Sequence, residues 1–117
     1  MKGFVRSQAV VYNDGAFYTF GSYPDTDEIA RLDAVTYIWS LVGSLNAARR
    51  GASAIVIDDS FLVVGGWGPS EGKILPTEQC QYTGGNMTCT EQAPGLNHYE
   101  YWPLLLAVRD DFCQTLP

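Results

Sequence analysis

The chain has 117 residues, 46% of them hydrophobic and 17% charged, with a formal net charge of −6. That suffices for one domain of ordinary size with its own aromatic-containing core, and no apolar run is long enough to cross a bilayer. The acidic balance argues against nucleic acid and against anionic membranes, since both recruit a basic face. No membrane insertion is expected.

Met1-Lys2-Gly3-Phe4-Val5-Arg6-Ser7 lacks the apolar core of a secretory signal and does not read as one. If the chain is a piece of a longer protein, Met1 need not be the true start. From Gln8 to Phe20, two β-rich runs flank Asn13-Asp14-Gly15, a strong hairpin turn, and Gly21-Ser22 follow. A second hairpin reads in the same way over Arg49–Gly66, where Asp58-Asp59 separates Ala54-Ile55-Val56-Ile57 from Phe61-Leu62-Val63-Val64. The two superpose at one offset of 44 residues: Arg6 on Arg50, Asp14 on Asp58, Phe17 on Phe61, Gly21 on Gly65. An arginine, a turn acid, an aromatic and a glycine meeting one offset constitute an internal repeat.

A polar loop, Ser22–Asp27, leads to a strand over Glu28–Asp33, in which Ile29 and Leu32 are out of phase. Another strand is expected over Tyr37–Leu41, because Val35 to Trp39 are poor helix formers in a row. These late strands recur at an offset of 50, with Glu28 on Glu78, Asp33 on Thr83 and Trp39 on Cys89. The six extra residues fall in the Gly/Pro-rich loop Trp67–Thr77, where a repeat tolerates insertion. A third copy begins near Trp102: Leu104–Phe112, with Asp110-Asp111, resembles Ala52–Ser60.

Three cysteines occur, Cys80, Cys89 and Cys113, at spacings that match neither a zinc site nor a redox pair. A two-residue turn at Gly84-Gly85 places Thr83 opposite Asn86, Tyr82 opposite Met87 and Gln81 opposite Thr88. Cys80 then faces Cys89 at a non-hydrogen-bonded pair, close enough for a disulfide. Cys113 would pair outside the chain. Asn86-Met87-Thr88 is an N-glycosylation sequon. Disulfide and sequon together point to an extracellular setting, although a cytoplasmic one stays open.

In its Gly65-Gly66 pair, Asp33 with Trp39 six positions on, and Arg49-Arg50 opening the next unit, the chain resembles the kelch repeat family. It departs from that pattern at Gly21-Ser22, Leu32 and Cys89. The resemblance implies an all-β fold of antiparallel kelch-type β-propeller blades. One blade would span about 6–48, a second about 49–101, and the start of a third about 102–117. Propellers close with four to eight blades, so two and a fraction leave open faces for further blades or self-association. The family's role implies a non-enzymatic protein–protein interaction module, here a fragment of a secreted or cell-surface protein. Its loops would carry Trp67, Glu71, Lys73, Tyr23 and Asp25 as candidate binding residues, with Trp67 alternatively packing on a neighbouring blade. Two alternatives are a fragment of a galactose-oxidase-like enzyme and a cytosolic substrate adaptor.

No catalytic, cofactor or metal residue is assigned. Asp58-Asp59 and Asp110-Asp111 sit where Asn13-Asp14 does and read as turn chemistry. His98, the only histidine, has no nucleophile to be placed beside it. Asp25, Asp27 and Glu28 lack the glycine and spacing of a calcium loop. Gly65–Gly68 opens no helix and does not read as a phosphate cradle.

Overall fold

A computed structural model describes residues 9–22, 26–68 and 75–92. Tyr23, Asp25, Glu71, Lys73, His98, Cys113 and the third copy expected at 102–117 lie outside them. The described residues form eight strands and no helix: β1 (Ala9–Asn13), β2 (Ala16–Ser22), β3 (Thr26–Asp33), β4 (Trp39–Arg49), β5 (Ser53–Ile57), β6 (Ser60–Val64), β7 (Thr77–Thr83) and β8 (Asn86–Gln92). The fold is all-β, as the alternating β-branched runs and closely spaced turns require.

Three hairpins turn on two residues in left-handed backbone: Asp14-Gly15, Asp58-Asp59 and Gly84-Gly85. Such turns match the right-handed twist of the strands they join. The Asp58-Asp59 turn lacks a glycine, and the aspartates tolerate it because short polar side chains can bond locally to the backbone. The β3–β4 connection is longer. Asp33 Oδ1 accepts from the N–H groups of Val35 (2.8 Å) and Thr36 (2.9 Å), and the Tyr37 N–H donates to the Asp33 carbonyl (2.9 Å). Tyr37 has a φ of 59°, so β4 starts at Trp39, two residues later than the β-rich run from Tyr37 suggests.

Strands β1–β4 and β5–β8 each form an antiparallel meander, and the two occupy one sheet in the order β1-β2-β3-β4-β8-β7-β6-β5. They meet where Gly43 pairs in parallel with Met87. A Cβ at Gly43 would overlap the Met87 carbonyl oxygen, so the backbones approach this closely only because residue 43 has no side chain. The sheet's two ends, β1 and β5, also lie against each other. The result is a nearly closed, barrel-like sheet. The two four-stranded units thus share one interior.

Phe20, Phe61, Ile29, Val63, Cys80, Tyr18 and Met87 fill that interior. The Phe61 ring lies 4.7 Å from Tyr18 and 5.5 Å from Phe20, tilted against both as aromatic quadrupoles prefer. Ile29 faces this core while Leu32 lies on the opposite face of β3. Their mismatch of phase in the sequence is thus real, and a register shift between Ile29 and Ala30 accompanies it.

Candidate functional site

The described residues of the 44-residue repeat do structural work. Gly21 (φ 67°), at the irregularity near the end of β2, and Gly65-Gly66 (φ 77° and 93°), directly after β6, take left-handed backbone. A Cβ at Gly21 would overlap the Arg49 carbonyl oxygen, and one at Gly66 would come within 2.6 Å of the Arg50 carbonyl oxygen. The Arg49-Arg50 dipeptide is thus the strap against which both corners pack. Arg49 pairs with Thr26 in the first meander, and Arg50 exchanges two backbone hydrogen bonds with Trp67 (2.9 and 2.8 Å).

The Arg49 side chain turns inward and has no solvent exposure. Its Nη2 donates to Glu78 Oε2 (2.8 Å) and to the Pro76 carbonyl (2.7 Å), its Nη1 to the Gly65 carbonyl (3.0 Å), and its Nε to the Ala47 carbonyl (3.3 Å). Glu78, equally buried, also accepts from the N–H groups of Asn46 (2.7 Å) and Ala47 (3.0 Å) and from the Asn46 side-chain amide (3.2 Å). Burial pushes the Arg49 guanidinium down, and the Glu78 carboxylate opposes that. Each charge meets an opposite charge and a set of dipoles, which makes this a clasp rather than a reactive centre.

A second cationic group, Arg31, lies on the core side of β3. Its Nε donates to the Tyr18 hydroxyl (3.3 Å), and its guanidinium carbon is 5.9 Å from the Tyr18 ring centroid and 5.7 Å from that of Tyr82. The Tyr18 hydrogen bond is the main influence raising its pKa; burial works the other way. Cation–π contacts at this distance fix the side chain across the two meanders.

The Cys80–Cys89 disulfide is present, with a Cα–Cα distance of 4.0 Å. The β7–β8 register is 83/86, 82/87, 81/88 and 80/89, as the Gly84-Gly85 turn dictates. Cys80 is wholly buried and Cys89 packs on the core, so the bond staples the inner face of this hairpin. Asn86 and Thr88 project from the other face and are exposed. Trp67, the described member of the loop set, is half-buried and held by its backbone pairing with Arg50.

The outer faces of the two meanders differ. Directly paired residues share a face. On the outer face of β1–β4 this gives a cross-strand row of Tyr12, Phe17, Leu32 and Trp39, with Val10 and Leu41 beside it. Tyr12 is 56% and Leu41 68% exposed, and the Tyr12 and Phe17 rings meet edge-on at 5.1 Å. The adjoining β3–β4 turn adds Val35, Tyr37 and Ile38, all exposed. On the outer face of β7–β8 the corresponding pairs are Gln79 with Thr90, Gln81 with Thr88 and Thr83 with Asn86. One outside is aromatic and aliphatic; the other is uncharged and polar.

Sequence reasoning directed at loops passes over the first of these surfaces. Its signal lies in Ala9-Val10-Val11-Tyr12 and Phe17-Tyr18-Thr19-Phe20, where apolar side chains occupy both phases of a strand, so both faces need cover. Among the described residues no group of three His, Cys, Asp or Glu side chains could hold a metal ion, and no helix is long and apolar enough to cross a membrane. Comparison with protein-family models and with curated proteins finds no match to the chain.

Proposed function

We propose that this chain is a non-enzymatic protein-recognition module made of kelch-type repeat units, a fragment of a secreted or cell-surface protein. The observation that carries the reading is the exposed apolar face of β1–β4, centred on Tyr12, Phe17 and Leu41. Contiguous apolar surface is costly to leave in water, and aromatic side chains are favoured anchors at protein interfaces. The occupant is protein, a further repeat unit or a separate partner. Support for the repeat assignment comes from the common offset of Asp14 and Asp58 and of Gly21 and Gly65, which occupy equivalent left-handed positions in the two meanders. The Cys80–Cys89 disulfide favours an oxidising compartment.

A photo-crosslinking amino acid placed at Leu41, and separately at Gln81, tests this in cells that secrete the chain. A discrete protein adduct from position 41 and none from position 81 is the expected result. Adducts of equal yield from both positions, or none from position 41, would overturn the reading.

A further inference from the structure

We infer that Asn86 carries an N-linked oligosaccharide and that the outer face of β7–β8 is therefore the solvent side of the molecule. This does not rest on the identity of any protein partner. Asn86-Met87-Thr88 is the sole N-x-S/T sequence in the chain. Asn86 and Thr88 are two apart on β8, so their side chains leave the same face, while Met87 between them is buried. Both are exposed, and Thr83 and Gln81, directly opposite them on β7, are exposed as well. The turn beside them is open: a Cβ built at Gly84 or at Gly85 would meet no atom within 4 Å. A glycan at Asn86 thus meets no obstacle among the described residues.

The neighbouring chemistry fits. Gln79, Gln81, Thr83, Thr88 and Thr90 form an uncharged, hydrogen-bonding surface without an exposed large apolar side chain, unlike the outside of β1–β4. Such a surface can stay hydrated beneath a sugar and offers little to a packing sheet. The Cys80–Cys89 bond, three residues from the acceptor, favours the oxidising compartment in which asparagine-linked transfer takes place.

In the transfer, Asn86 Nδ2 bonds to the anomeric carbon of a lipid-pyrophosphate-linked oligosaccharide. The bond from that carbon to the pyrophosphate oxygen breaks, the lipid pyrophosphate leaves, and the amide gives up one proton. In the finished hairpin Asn86 and Thr88 are paired with Thr83 and Gln81, so the transfer belongs to the newly translocated chain, before β8 pairs with β7. The sugar then holds this face away from other sheets.

The test is translation of the full chain, behind a cleavable secretion signal, in the presence of microsomes. Protease protection identifies the translocated molecules. The expected result is a protected species heavier by one oligosaccharide, returned to the unmodified mass by an amidase specific for N-linked glycans. That shift is lost in Asn86→Gln and in Thr88→Ala and kept in Thr88→Ser, both positions being exposed so that replacement leaves the core intact. A protected wild-type chain with no amidase-sensitive shift, or a shift surviving Asn86→Gln, would overturn the inference.

Discussion

Arg49 Nη2 lies 2.8 Å from Glu78 Oε2, with both side chains entirely removed from water. Glu78 also holds the β4 backbone at Asn46 and Ala47, and Arg49 holds the carbonyls of Gly65 and Pro76. The pair thereby ties the last strand of the first meander to the corner and third strand of the second. Removing one partner strands the other charge in the interior, a loss of about 3–5 kcal/mol. Arg49→Met and Glu78→Gln should each lower unfolding stability in urea on that scale. Arg49→Met with Glu78→Leu should recover part of it, because no buried charge is left alone. A single-variant loss below about 1 kcal/mol, the size of a surface pair, would contradict the clasp.

The Cys80–Cys89 bond closes a loop of ten residues, counting both cysteines. On the chain-entropy account such a closure contributes roughly 2.7 kcal/mol by restricting the unfolded chain. The alanine double variant at these positions should lose up to that amount, and reductant should lower the wild-type urea midpoint while leaving the variant's unchanged. An equal response of both proteins to reductant would show that the bond does not stabilise the fold.

Asp33 supplies a pH dependence with a definite sign. The N–H groups of Thr36 and then Val35 hold its carboxyl below the ordinary value of 3.8. A depressed folded-state pKa contributes stability that is fully present above 3.8 and is lost as pH falls through the lower folded value. The melting-temperature advantage of wild type over Asp33→Asn should be flat from neutral pH down to the ordinary range and shrink in more acid solution. An advantage that persists unchanged into strong acid would rule out this role for the β3–β4 turn.

The turns and their consequences were legible in the sequence, because two-residue loops leave little choice. Asp14-Gly15, Asp58-Asp59 and Gly84-Gly85 define three hairpins, and the last of them fixes the register that joins Cys80 to Cys89. Less legible was anything set by distant pairing. Arg49 and Arg50 are neighbours of the same type, yet Arg49 is the buried clasp and Arg50 is only half-buried. The choice depends on Glu78, 29 residues away, and on no local pattern. Closure of the two meanders into one sheet depends likewise on Gly43 meeting Met87, a contact between backbones that leaves no hydrophobic period to read. The exposure of Tyr12, Phe17 and Leu41 likewise follows only from the other phase of each strand filling the core.

Hydroxyl-radical footprinting of the chain expressed behind a secretion signal, in the unfractionated medium and again after purification, tests the proposed recognition surface most directly. Tyr12, Phe17, Tyr37 and Leu41 should be protected in the unfractionated medium and become reactive on purification, while the β7–β8 outer face reacts equally in both. Equal reactivity of those four side chains in the two states, or protection confined to β7–β8, would contradict recognition through the outer face of β1–β4.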